Sequence, residues 1–157
     1  MGIFEEGRFT LELTLAGRMA LAALFGFLVG LERESRGKSA GERTFAMVAL
    51  AASGFAGVAF TMFPATAGQA VAGVATGIGF LGIGIIWREE QGEQARGLTT
   101  AASILGVAAI GVLTGVGLYL TAVLATCLAL LILEFDRAPV LSALHRRFTG
   151  HDTDDES

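Results

Sequence analysis

The stretch LAGRMALAALFGFLVGLERESRGKSAGERTFAMVALAASGFAGVAFTMF, residues 15–63, decides the fold. It opens with an apolar run (15–31), breaks into a loop dense in charge (32–43) and closes with a second apolar run (44–63). A bilayer core of about 30 Å takes about 20 apolar residues as a helix, with about 17–25 usual. Both runs fit that length, and three more follow at 70–87, 98–113 and 116–133, of which the fourth is the shortest. With 53% hydrophobic and 17% charged residues and a mean hydropathy of +0.63, the chain is too apolar for an ordinary soluble domain. The expected fold is all-α, a polytopic membrane bundle of five transmembrane helices.

The connections between the runs set the expected orientation. Loop 32–43 carries Arg33, Arg36, Lys38 and Arg43, and loop 88–97 carries Arg88 and Arg96. The connections around 64–69 and 114–115 carry no charge. Lys and Arg stay on the cytoplasmic side, so the N-terminus is expected outside and the C-terminus inside. The net charge of -4 does not conflict, because its acidic excess sits in Glu5, Glu6 and Glu12 and in the tail, and orientation follows Lys and Arg. This divides the chain into an extracytoplasmic N-terminus (1–14), a transmembrane domain (15–135), a cytoplasmic amphipathic segment (136–148) and a disordered acidic tail (149–157). The amphipathic segment places Val140, Leu141, Leu144 and Phe148 at helical spacing beside Arg137, His145, Arg146 and Arg147, a pattern suited to inner headgroups. The first run is not a cleaved signal peptide, since acidic Glu5 and Glu6 precede it where a basic region would stand.

Glycines recur at helical spacing: Ala22, Gly26 and Gly30 in the first run, Gly73 and Gly77 in the third. Small residues at i and i+4 let helix backbones approach in lipid, so Gly26, Gly30, Gly77, Gly79, Gly82 and Gly84 are expected at helix contacts, with the glycine-thin third helix either touching a neighbour or lining a narrow cavity. Gly77-Ile78-Gly79-Phe80-Leu81-Gly82 also spells the dinucleotide fingerprint. That fingerprint needs a preceding strand and a helix opening onto phosphate, which an apolar run does not supply. Ser53, Thr76, Thr121 and Thr126 can each bond back to a carbonyl one turn earlier. Cys127, the only cysteine, reads as a small packing residue. Trp87 falls at the cytoplasmic boundary, where its ring is comfortable.

Arg18 lies inside the first apolar stretch. A central Arg costs at least about 2.5–3.5 kcal/mol on insertion scales. Two placements meet that cost: snorkelling to the outer headgroups, or an interior position paired with a carboxylate such as Glu12.

The candidate functional cluster is polar and lies at the cytoplasmic end: Glu32, Arg33, Lys38, Arg43 and Thr44, with Thr99 and Thr100 opening the fourth helix. Glu32 and Arg43 are expected to face each other, and Glu34 and Arg36 to matter less. The alternatives are that the arginines only enforce topology, and that Thr99 or Thr100 only caps a helix. No His pair, Cys cluster or nucleophile triad is present, as the only histidines are His145 and His151 in the tail. The expectation is therefore no enzyme, no catalytic residue and no cofactor; a metal site is left open. No basic stripe with aromatic interleaving invites nucleic acid.

Three stretches together resemble the MgtC/SapB family of small membrane proteins. They are Gly30-Leu31-Glu32-Arg33-Glu34 with Gly37-Lys38, Ala40-Gly41 and Arg43-Thr44; Gly77-Ile78-Gly79-Phe80-Leu81-Gly82 with Gly84; and Gly97-Leu98-Thr99-Thr100-Ala101-Ala102. The likeness covers roughly 15–135. It implies a cytoplasmic-membrane protein associated with magnesium limitation, acid stress and survival in hosts, acting by binding other membrane proteins such as the ATP synthase. The chain departs from the family at Phe45, where a polar residue is frequent, and is expected to lack the folded soluble C-terminal domain of the virulence-type members, which would place it nearer the short SapB-like ones. The expected function is a regulator or binding protein in magnesium homeostasis and stress adaptation. The alternatives are a small ion or solute transporter, for which Arg18 and Glu32 speak, and a structural subunit. Lipid bilayer, other membrane proteins and further copies of this chain are the partners this reading allows.

Overall fold

The structure, a computed structural model, describes residues 2–38, 40–89 and 96–134. Five helices follow in order: α1 (Gly2–Ser35), α2 (Glu42–Met62), α3 (Ala67–Glu89), α4 (Arg96–Gly115) and α5 (Tyr119–Glu134). One 3-10 turn, Pro64–Thr66, joins α2 to α3. No strand occurs among the described residues. Four stretches are long and apolar enough to cross a membrane: Gly7–Ser35, Glu42–Met62, Pro64–Ile86 and Gly97–Gly115. The fifth helix is also apolar but has 16 residues, about 24 Å of rise. Helix α1 starts at Gly2, so residues 2–14 are helical and continuous with the first apolar run. The expectations for the side chains of Trp87, Arg88 and Arg96, and for residues 135–157, lie outside the described residues.

Two helices end on the same device. After α1, Gly37 takes φ +62°, its N–H donates to the Glu34 carbonyl (2.9 Å), and the Lys38 N–H donates to the Arg33 carbonyl (3.2 Å). After α4, Gly117 takes φ +90°, with Gly117 N–H on the Thr114 carbonyl (3.1 Å) and Leu118 N–H on the Leu113 carbonyl (2.9 Å). Both are Schellman closures, in which a left-handed residue lets two N–H groups reach back to orphan carbonyls. At the start of α2, Gly41 has no side chain with which to cap. Glu34 of α1 does so instead, its Oε2 accepting the Glu42 N–H at 3.3 Å. The helix hairpin thus carries its own cap across the loop.

Helix α4 occupies the middle of the bundle: it packs on α1, α2, α3 and α5, while α3 also touches α2 and α5 also touches α1. The closest packing is on α2, which is gripped from both sides by glycine pairs. A Cβ on Gly26 of α1 would overlap the Phe45 carbonyl, and one on Gly30 would overlap the Glu42 backbone. From the other side, Gly111 and Gly115 of α4 abut the backbones of Ala49 and Ser53. Removing every side chain from those contact lines lets backbones touch, and dispersion contact replaces the hydrophobic force that lipid cannot supply. Around these seams the interior is filled by Ala22, Val29, Phe45, Ala52, Val107 and Ile110, all at most 2% exposed.

Glycine packing on α3 differs from the sequence expectation. Gly82 meets Ala101 of α4 at 3.5 Å, but a Cβ on Gly77, Gly79 or Gly84 would find nothing within 4 Å. Val74, Ile78 and Ile85 pack against the core, so branched residues share the inward side of α3 with Gly82. Gly73 and Gly77 instead line an apolar groove of about 650 Å³ between α2 and α3. Two smaller expectations also need correction. Thr76 and Thr126 bond back to Ala72 and Ala122 (2.9 and 2.8 Å), but buried Ser53 Oγ has no hydrogen-bond partner. Its natural acceptor, the Ala49 carbonyl, is pressed against Gly111. Cys127 faces outward from α5 and fills no interior gap.

Candidate functional site

The end of α1, the start of α2, the start of α4 and the end of α5 meet at one end of the bundle, and most of the expected cluster is found there. Arg33 is 2% exposed and Thr100 is 1% exposed. The Arg33 Nη2 donates to Thr100 Oγ1 at 3.3 Å, which joins α1 to α4. Burying a guanidinium is costly, and Thr100 provides it with one acceptor where an apolar residue would provide none. Because α4 begins at Arg96, neither Thr99 nor Thr100 caps it, and Thr100 braces α1 instead.

The expected Glu32–Arg43 pair does not form. Glu32 pairs with Arg36, four residues on along α1, and both side chains are 13% exposed. Arg36 then reaches α5, its Nη2 lying 2.7 Å from Glu134 Oε2. Arg43 points away, 95% exposed, with only a loose contact from its Nε to Glu42 Oε1 at 3.8 Å. The physical reason is helical geometry: Glu32 and Arg36 lie on one face of α1, whereas Arg43 lies in the first turn of α2 on its outer side. Arg36 and Glu134 are thus the residues that sequence reasoning missed. The i, i+4 spacing of Glu32 and Arg36 was a signal that could have found the first of them.

The remaining expected residues divide. Lys38 is half-buried and acts through its backbone N–H in the α1 closure. Thr44 and Thr99 are exposed, and the Thr99 carbonyl accepts the Ser103 hydroxyl at 2.6 Å. Glu34, Lys38, Glu42, Arg43 and Thr44 line an open polar depression of about 560 Å³ around Gly37 and Gly41. The structure therefore separates the cluster into a largely buried brace (Glu32, Arg33, Arg36, Thr100), tied to exposed Glu134, and an exposed rim (Arg43, Thr44, Thr99). Among the described residues no three His, Cys, Asp or Glu side chains gather in a way that could hold a metal ion.

A second polar site lies at the opposite end. Arg18 is half-buried, its Nη1 donating to the Gly115 carbonyl at 2.9 Å and its Nε to the Tyr119 hydroxyl at 3.1 Å. Glu12 is instead paired with Arg8 at 3.1 Å. Neither placement expected for Arg18 describes it fully, because its partners come from the α4–α5 turn, remote in sequence. The guanidinium satisfies a carbonyl at the end of α4 that lipid would leave bare.

Comparison with known proteins identifies a family. Residues 19–139 match the MgtC family. Protein MgtC of Salmonella typhimurium is 45% identical over 109 residues, which is 69% of this chain and 46% of the relative. Protein MgtC of Brucella abortus is 43% identical over 114 residues, 71% of this chain and 46% of the relative. The chain thus spans about half the length of these curated relatives. No solved structure matches. The matched region begins within α1 at Met19 and takes in both the buried brace and every glycine seam, so the chain, a protein with several membrane-spanning helices, belongs to the MgtC family.

Proposed function

We propose that this chain is a five-span protein of the cytoplasmic membrane, N-terminus outside, that acts by binding other membrane proteins. The setting is magnesium homeostasis and stress adaptation, and the ATP synthase is the first partner to test. Family membership supports the setting. The observation that carries the mode of action is the filling between the two arginine sites. Ala22, Phe25 and Val29 of α1 lie between Arg18 and Arg33 and are at most 9% exposed. Gly26 is pressed onto α2. A carrier needs polar groups or water along its path, and this seam offers closely packed hydrocarbon. The fixed brace and the exposed polar rim suit a surface that docks a partner.

The carrier reading keeps one argument: Arg18 and Glu32 are charged groups at the two ends of a single helix. One pair of measurements separates the two readings. Purified protein in liposomes is expected to move neither Mg²⁺ nor protons, and tagged protein from native membranes is expected to retain ATP synthase subunits. Saturable uptake by the pure protein would overturn the proposal.

A further inference from the structure

We propose that Arg18 and Tyr119 form a binding site for a phosphate group in the notch of the α4–α5 turn. Gly57 of α2 packs against Leu15 of α1 and the Gly115 carbonyl, and α2 then runs on to Met62, about 8 Å further. The α4–α5 turn therefore sits below the end of α2, and Arg18 sits with it, inside the apolar stretch of α1. An unneutralised guanidinium at that depth is costly. No described carboxylate pairs with it, since Glu12 is held by Arg8.

The notch is rich in donors. Arg18 spends Nε on the Tyr119 oxygen and one Nη1 hydrogen on the Gly115 carbonyl. Because that tyrosine oxygen is already accepting, its own O–H is left to donate outward. Arg18 Nη2 makes no hydrogen bond to a described residue and lies over Gly117, where an added Cβ would stand 3.1 Å away. Gly117 thus lets the guanidinium lie close against the turn as well as closing the helix. Two guanidinium nitrogens and a phenol hydroxyl lie together with no described carboxylate paired to them, and a phosphate presents the oxygens that a planar guanidinium fork matches. Tyr119 is 43% exposed, and Leu118 and Leu120 beside it are 52% and 74% exposed, so acyl chains have an apolar surface next to the headgroup. The site holds whichever membrane face the turn occupies, and it does not depend on the regulatory proposal.

The test uses the full chain, delipidated in detergent, and native mass spectrometry with two lipids of equal chain length. One is phosphatidylglycerol and the other is digalactosyldiacylglycerol, which has no phosphate. The wild type is expected to hold phosphatidylglycerol about tenfold more tightly than the galactolipid. Arg18→Gln should remove that preference, Arg18→Lys and Tyr119→Phe should each reduce it a few-fold, and Arg43→Gln should leave it unchanged. Inorganic phosphate at about 10 mM, competing against the lipid, distinguishes the source. Displacement assigns the site to the free ion, and its absence assigns it to a headgroup; both uphold phosphate recognition. If Arg18→Gln fails to fold, the lysine and phenylalanine variants carry the test, since one keeps the charge and the other the ring. Equal retention of the two lipids by the wild type, or wild-type preference in both Arg18→Lys and Tyr119→Phe, overturns the proposal.

Discussion

Replacing Arg36 by Met is the sharpest probe of the charged end. Met keeps much of the length and apolar stem of Arg and removes only the guanidinium. Glu32, 13% exposed, then loses its partner while remaining where it is. Breaking a fully buried pair costs about 3–5 kcal/mol, and an exposed pair is worth about 0–1. The Glu32 side of this brace lies near the buried limit, whereas Glu134 at 51% exposure lies near the exposed one. Arg36→Met should therefore cost about 2–3 kcal/mol, and Glu134→Gln about 0.5–1. Most of the larger cost is the stranded carboxylate, not the lost attraction. Adding Glu32→Gln to Arg36→Met should then recover stability, bringing the double variant to within about 1 kcal/mol of wild type. Steric-trapping measurements of unfolding in bicelles give these differences directly. If Glu32→Gln adds to the damage instead of offsetting it, or Arg36→Met is no worse than Arg43→Met at the exposed position, the brace is not structural.

Other outcomes follow from the same geometry. Gly111→Val drives a side chain into the Ala49 carbonyl and should prevent stable folding or cost over about 3 kcal/mol, whereas Gly77→Ala and Gly79→Ala, open on α3, should leave unfolding stability unchanged. Thr100→Val removes the Arg33 acceptor and should cost about 1–1.5 kcal/mol, read in the same assay. Gly37→Ala places a Cβ on a residue at φ +62° and should cost about 1 kcal/mol. In a Cys127→Ala background, Ala65→Cys should be labelled by an impermeant maleimide in intact cells and Ser35→Cys only after lysis; the reverse pattern would refute the orientation.

The apolar runs were legible because lipid imposes their length and composition on the sequence. Gly26 and Gly30 were legible for a related reason: small residues at i and i+4 have one strong use in a bundle. Gly111 and Gly115 carry the same spacing and could have been read in the same way. Gly77, Gly79 and Gly84 show where that signal fails, since spacing marks a smooth face but does not say which face a neighbour occupies. The partners of the charged residues were harder to read. Glu32 had one candidate on its own helix and one across the loop, and only the finished hairpin shows that Arg43 turns outward. Arg18 could not have been placed at all, because Gly115 and Tyr119 come near it only once α4 and α5 have packed.

Arg18 and Arg36 also set where α5 sits along the bundle. Along α1, Arg18 and Arg36 are separated by about 27 Å of helical rise, and Tyr119 and Glu134 by about 23 Å along α5. The two helices run in the same direction, and the arginines of one hold the two ends of the other, at the Tyr119 hydroxyl and the Glu134 carboxylate. The apolar side chains of α5 cannot resist sliding along the bundle, since they are equally at home at any depth in lipid. The α1 arginines can, because moving α5 along the bundle would pull both ion-dipole and ion-ion contacts out of register together. Helix α1 therefore acts as a ruler, fixing the depth of α5 and with it the level of the α4–α5 notch.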